Sequence, residues 1–258
     1  MPRRVKKSHQ LVAFTLLATG LGPFALPAAA QGTPPPPPPP WDVQIGAAFV
    51  GTSGNSQTSS TGVDFAMHQR GPVWQMESAA SLVHISNHGV DTAERYLAAY
   101  RAQRSLSPIV KLTAGEKAEH DPFSGISFRN ILDAGFGWAL VRRPRWSLDG
   151  TTAVAWNHET TKLGPTRDHS IGVFQVLSRV PFGTSGDASG RVTFLPDFSQ
   201  TSAYRSEAEV TAQAAMNTRL ALKLGYLVRY SNAPVPGFVK TDNTATASVV
   251  LRWRGSTS

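Results

Sequence analysis

From Tyr204 the chain alternates strictly. Tyr204, Ser206, Ala208, Val210, Ala212 and Ala214 are small or apolar, whereas Arg205, Glu207, Glu209, Thr211 and Gln213 are polar or charged. In a β-strand successive side chains point to opposite faces, so this segment has one oily and one wet face. The next segment sets Leu220, Leu222, Leu224, Tyr226, Val228 and Tyr230 against Arg219, Ala221, Lys223, Gly225, Leu227 and Arg229. A last one sets Ala245, Ala247, Val249, Leu251 and Trp253 against Thr244, Thr246, Ser248, Val250 and Arg252. At their full extent, 203–216, 218–230 and 240–253, these segments are 13 to 14 residues long. Strands of soluble proteins usually have about five or six residues, and a tilted strand crossing a bilayer needs about 9 to 11. A period of two sustained over that length leaves few folds open.

Two further patterns narrow the choice. Aromatic residues sit near the ends of the apolar faces: Trp41 and Phe49, Trp74, Tyr96 and Tyr100, Trp146 and Trp156, Tyr226 and Tyr230, and Trp253. Such girdles mark the two interfaces of a bilayer. Connections also alternate in length. Short ones fall near 70–72, 105–108, 142–145 and 216–217; longer ones fall near 51–57, 86–91, 120–125, 157–168, 196–202 and 231–238. Segmentation gives about twelve strands: 41–51, 58–70, 73–86, 92–105, 109–119, 126–141, 145–157, 168–182, 189–196, 203–216, 218–230 and 240–253. The expected fold is an all-β, antiparallel transmembrane β-barrel of about twelve strands. The 168–196 stretch resists it, because Phe174, Val176, Leu177 and Val180 do not alternate cleanly and Gly183–Gly190 is long for a turn; ten or fourteen strands stay open there.

Composition agrees and removes other classes. The 258 residues contain no cysteine, which excludes disulfides, thiolate metal sites and a cysteine nucleophile. Six Trp and twelve Phe with 16% charged residues exclude a disordered chain. A mean hydropathy of −0.18, with no apolar run of 18 residues after Trp41, argues against a helical membrane protein.

The first thirty residues have the layout of a cleaved signal peptide. Arg3, Arg4, Lys6 and Lys7 precede the apolar stretch Leu11–Leu26, and Ala28-Ala29-Ala30 supplies small residues for cleavage between Ala30 and Gln31. Of the 25 Lys and Arg, these four lie in that segment, so 21 remain against 17 carboxylates, a net charge of +4 rather than +8. Nucleic-acid binding loses its support. Residues 31–40 form a spacer dominated by Pro34 through Pro40, which as polyproline II spans about 20 Å. A cell-wall or periplasmic contact is its alternative role. The expected organisation is therefore a signal peptide (1–30), a periplasmic spacer (31–40), a barrel (41–253) and a C-terminal tail (254–258).

In a barrel with a lipid-facing exterior, charges within strands belong inside. Asp64, Glu77, Arg101, Arg129, Asp133, Arg205, Glu207, Glu209, Lys223 and Arg229 are therefore expected to face the lumen. Twelve strands give a backbone radius of about 12 Å, so a polar core crosslinked by these side chains is expected, with a narrow selective channel as the alternative.

Catalytic signals are thin. His84-x-Ser86 resembles the pair used by outer-membrane phospholipases, and Asn130 is the candidate third member; a serine nucleophile needs such a base and orienting partner. His120 with Asp121, and His158, Glu159, Asp168 and His169, offer metal-ligand chemistry without a recognised spacing. Neither set outweighs ordinary rim and loop roles, so no enzyme activity, metal or cofactor is expected.

The segment Gly51-Thr52-Ser53-Gly54-Asn55-Ser56-Gln57-Thr58, following a Trp-led first strand, resembles the opening of the DUF481 family, which includes the YdiY-like, salt-induced outer-membrane proteins. Thr92-Ala93-Glu94-Arg95-Tyr96, Asp121-Pro122-Phe123-Ser124-Gly125, Arg205-Ser206-Glu207, Leu222-Lys223-Leu224-Gly225-Tyr226 and Lys240-Thr241-Asp242 are similar to later motifs of that family, in order. Family members usually stop on an aromatic residue, whereas here Trp253 is followed by Arg254 to Ser258. The resemblance implies the fold and a bacterial outer-membrane location, with outer-membrane lipid and the barrel-assembly machinery as partners. It implies no reaction. A structural or stress-related envelope role is the expectation.

Overall fold

A computed structural model describes residues 40–51, 58–183 and 185–255. The signal segment with its Ala30–Gln31 cleavage site, prolines 34–39, residues 52–57 of the first family motif and residues 256–258 lie outside the described residues. Twelve strands follow one another: β1 (Trp41–Gly51), β2 (Thr58–Arg70), β3 (Trp74–Asn87), β4 (Val90–Ser105), β5 (Val110–Asp121), β6 (Ile126–Arg143), β7 (Trp146–Thr161), β8 (Arg167–Phe182), β9 (Gly186–Pro196), β10 (Tyr204–Ala215), β11 (Leu220–Ser231) and β12 (Thr241–Arg254). Each pairs antiparallel with the next, and β12 closes on β1, so the sheet is a closed barrel. Closure leaves no edge strand and satisfies backbone polar groups within the wall.

Both described ends lie together at one end of the barrel. The Gly255 amide donates to the Trp41 carbonyl at 3.0 Å, and the Arg70 amide donates to the Pro40 carbonyl. We call this the turn end, because its hairpins are tight. Ser107 Oγ accepts from the Ile109 and Val110 amides, and Asn217 Oδ1 accepts from those of Arg219 and Leu220, side chains doing the work of a turn. The opposite, loop end carries the segments at 122–125, 162–166, 197–203 and 232–240.

Several expectations about connections need correction. The connection placed at 86–91 is a two-residue turn, His88-Gly89, with φ of 52° and 77°; positive φ at both positions matches the twist of a hairpin, and β3 and β4 run on into it past a bulge at Ile85/Ser86. The loop placed at 120–125 begins only after Asp121, as a 3-10 turn over Pro122–Ser124. The one placed at 157–168 is shorter, because β7 continues to Thr161 and β8 starts at Arg167. The turn expected to be long at 183–190 is short, since β9 starts at Gly186. Finally, Arg254 is the last residue of β12 rather than the first of a tail.

The strand period sorts side chains cleanly. Trp41, Trp74, Trp146, Trp156, Tyr96, Tyr100, Tyr226 and Trp253 are all exposed on the outer wall, together with Leu132, Phe136, Val154, Val192, Val210, Leu224 and Val249. Trp146 and Trp156, ten positions apart on β7, bracket an apolar belt about 25 Å tall once strand rise and tilt are taken together.

The 168–196 region alternates after all, but both of its faces are apolar. Ile171, Val173 and Leu195 point inward and pack with Ile131, Ala153 and Ala155, while Phe174 and Phe194 point outward. Ile171 is only 1% exposed. This apolar cluster fills one side of the interior and hides the wet-and-oily pattern that other strands show.

Candidate functional site: the barrel lumen

Register and parity put Asp64, Glu77, Arg101, Arg129, Asp133, Arg205, Glu207, Glu209, Lys223 and Arg229 on the inner face. Several reach far across the interior. Lys223 on β11 meets Asp64 on β2 at 3.1 Å, and Lys117 on β5 meets Glu207 on β10 at 3.1 Å. Arg101 holds both oxygens of Asp133, at 2.9 and 2.7 Å, the bidentate geometry that makes an Arg–carboxylate pair strong and directional. Glu77 lies 3.7 Å from His68, and Glu209 lies 3.5 Å from Arg191.

The densest network lies near the loop end and centres on Glu119, whose side chain is 2% exposed. It takes Arg95 at 2.9 Å, Arg129 at 3.3 Å and Arg229 at 3.1 Å. Arg129 and Arg205 share Glu159, at 2.6 and 3.1 Å, and Arg229 also holds Asp121 at 2.7 Å. In a closed ring of twelve, β5 and β11 stand on opposite walls, so the Arg229 contacts to Glu119 and Asp121 span the interior. Ser124 continues the span: its amide donates to Asp121 at 3.0 Å, and its hydroxyl lies 3.0 Å from both Asp121 and Asp242 on β12, with one proton to share between them. Gly125, at φ 82°, brings the 122–125 turn against Val235 and Phe238 of the opposing loop; a Cβ there would stand 2.9 Å from both side chains. A cavity of about 110 Å³ lies beside this bridge, lined partly by Arg205, Arg229, His169, Ile171 and Leu195.

Exposure of the inward charges varies along the lumen. Near the loop end Glu119 and Asp121 are buried, whereas toward the turn end Arg142, Arg179 and Arg191 are each about half exposed beside buried Asp42 and Arg252. Ion pairs bridge the interior at the loop end beside the cavity, and toward the turn end buried and half-exposed charges line the lumen together.

Sequence alone did not single out Lys117, Glu119 or Asp242, and it read Asp121 and Glu159 as metal-ligand candidates rather than as members of this network. A signal existed for two of them: on β5, Lys111, Thr113, Gly115, Lys117 and Glu119 share one parity. Asp197, in the loop after β9, was also missed. It is buried, which opposes its charge, yet hydrogen bonds from the Ser199 hydroxyl and the Ser199 and Gln200 amides hold its carboxyl below the usual range.

The catalytic candidates are not brought together, and the metal-ligand candidates are split between the two faces of the wall. His84 faces outward and meets Asp91 at 3.2 Å. Asn130 also faces outward, but on β6, three strands or about 14 Å away, where it donates to Glu116 at 2.8 Å. The metal-ligand candidates sit on strands, not in loops, so the period of two divides them across the wall. His120 stacks on Tyr96 outside, while Asp121 lies inside; His158 and Asp168 pair outside at 2.8 Å, while Glu159 and His169 point inside.

A closed antiparallel barrel with an apolar exterior and a crosslinked polar interior defines the class of protein. The chain belongs to the family described as "Protein of unknown function, DUF481", whose model matches residues 45–253. No curated protein matches it. Among solved structures, the NanC porin is similar with 11% identity and a TM-score of 0.46, over 84% of this chain and 99% of that one. The COG4313 outer membrane channel from Pseudomonas putida F1 is similar with 11% identity and a TM-score of 0.45, over 84% and 94%. The KdgM porin in complex with disordered oligogalacturonate is similar with 7% identity and a TM-score of 0.43, over 84% and 99%.

Proposed function

We propose that the protein is a bacterial outer-membrane β-barrel, turn end toward the periplasm, that serves as a closed envelope component rather than an open pore. The apolar belt between aromatic girdles supports the membrane location, since lipid demands an oily exterior and a wall without edges. The observation that carries the closed reading is the bridge from Arg229 to Glu119 and Asp121 across opposite walls. A stress-related role and export by cleavage after Ala30 belong to the same proposal, as do contacts with outer-membrane lipid and with the assembly machinery.

Planar-bilayer conductance tests the closure. The wild-type protein is expected to give no discrete current steps, and Arg229→Ala is expected to give them. Wild-type steps as large and frequent as those of Arg229→Ala would remove the proposal. The second reading, a narrow channel for small polar or charged solutes, is favoured by the partly exposed Lys223–Asp64 pair; on that reading wild type conducts, and Lys223→Gln changes its ion selectivity. Orientation is tested separately. The chain has no cysteine, so Gly164→Cys creates a unique thiol, which an impermeant maleimide should label in intact cells.

A further inference from the structure

The turn-end half of the lumen is not charge-balanced. Toward the turn end, Arg70, Lys111, Arg142, Arg179, Arg191, Arg252 and Arg254 point inward, against Asp42, Glu77, Asp149, Asp187 and Glu209, with Arg70 held by Asp42 and Arg191 by Glu209. Asp149 is shared by two guanidiniums, those of Arg142 and of Arg179. Asp187 lies within electrostatic reach of three, Arg179, Arg252 and Arg254. Glu77 is engaged by His68. Lys111 is held by neutral groups, the Gln75 carbonyl at 2.7 Å and that of Gln103 at 3.4 Å. Arg252 is 7% exposed, and its Nε has no hydrogen-bond partner. Among the described residues, neither Arg252 nor Arg254 has a carboxylate within ion-pair distance. Around the mouth, Arg145 and Arg219 lie in turns without a carboxylate, Arg143 ends β6 opposite Trp146 on the outer face, and Arg104 sits over Trp74 on the outer wall.

We infer that this basic vestibule binds a small multivalent oxyanion, phosphate- or carboxylate-bearing, that enters from the turn end. Low-dielectric walls around charge of one sign focus the field and concentrate counter-ions. Guanidiniums that share a carboxylate keep spare N–H donors in the fork geometry suited to oxyanions. Arg179 is central, because it lies within electrostatic reach of Lys111, Glu77 and Asp187, on three other strands. The closed loop end makes the vestibule a dead end, so the anion is held rather than passed. The inference rests on that closure, but conductance reports the closure and binding reports the vestibule, so the two fail separately.

The test is calorimetric titration of the folded protein in neutral detergent with inorganic pyrophosphate, and separately with citrate. One saturable site is expected, weakening as chloride is raised. Arg179→Gln and Lys111→Gln should each weaken it tenfold or more. Lys162→Gln, at the loop end over Phe123, should leave it unchanged. Circular dichroism verifies folding, and Lys111→Gln stands in if Arg179→Gln fails to fold. Absence of saturable binding overturns the inference, as does binding unchanged in both lumen variants. If Arg104→Gln weakens binding while Arg179→Gln does not, the oxyanion sits at the lipid-headgroup level outside the wall, and the inference is again overturned.

Discussion

Replacing Glu119 by Gln keeps its shape and removes its charge from the middle of the closure. Glu119 faces three guanidiniums at 2.9, 3.3 and 3.1 Å and is 2% exposed. Breaking a buried pair by removing one partner costs about 3–5 kcal/mol, because the surviving charge stays buried without compensation. Here each guanidinium keeps a second carboxylate: Arg95 has Asp121 at 3.8 Å, Arg129 has Glu159 at 2.6 Å, and Arg229 has Asp121 at 2.7 Å. The loss should therefore fall at the lower end, about 3 kcal/mol. Urea unfolding of the barrel in lipid, followed by tryptophan fluorescence, gives the number. Glu209→Gln is the control. Glu209 is 37% exposed and lies 3.5 Å from Arg191, so its loss should stay below about 1 kcal/mol. If Glu119→Gln costs no more than Glu209→Gln, the closure is not held by buried charge and the reasoning fails.

Other consequences are as direct. Ile171→Ala empties the inner apolar cluster and should cost about 2–4 kcal/mol in the same unfolding assay. Val249→Lys puts an ammonium on the outer belt and should cost about 2–4 kcal/mol in lipid; a cost near zero would mean the residue does not face the bilayer core. Asp197 has a depressed folded-state value, so its contribution is fully present above its unfolded value near 3.8 and disappears as pH falls through the folded one. The stability difference between wild type and Asp197→Asn should therefore be flat above about pH 5 and shrink below pH 4. Gly125→Ala, strained at φ 82° and crowded by Val235 and Phe238, should destabilise by about 1–3 kcal/mol and raise the frequency of conductance steps.

The fold was legible because an oily face and a wet face leave a period that one strand displays without its neighbours. The first two strands end where alternation ends, at Gly51 and Arg70. The period disappeared wherever both faces carried the same chemistry. On β8 the interior is apolar at Ile171, Val173 and Leu177, so oil faces oil. At the loop end of β7, His158 outside and Glu159 inside are both polar, and the strand looked like a loop. Parity tells which side a charge faces, but not which partner it meets. Arg229 and Glu119 are 110 residues apart, and Lys223 and Asp64 are 159 apart; only closure of the ring makes them neighbours. The latch formed by Ser124, Gly125 and Phe238 depends in the same way on two loops from opposite walls.

The joint between β1 and β12 has a further consequence. Its register runs only from Asp42 opposite Arg254 to Ala47 opposite Val249, whereas β1 pairs with β2 along its whole length, from Trp41 to Gly51. It joins the most distant strands in the sequence by the shortest run of pairing. Long-range contacts pay their loop-closure entropy before they return any energy, so this joint forms last as the chain assembles. It is also where the finished cylinder parts first. Amides of β1 and β12 should exchange with solvent deuterium ahead of those in β6 and β7, as a zip fastener opens at its slider.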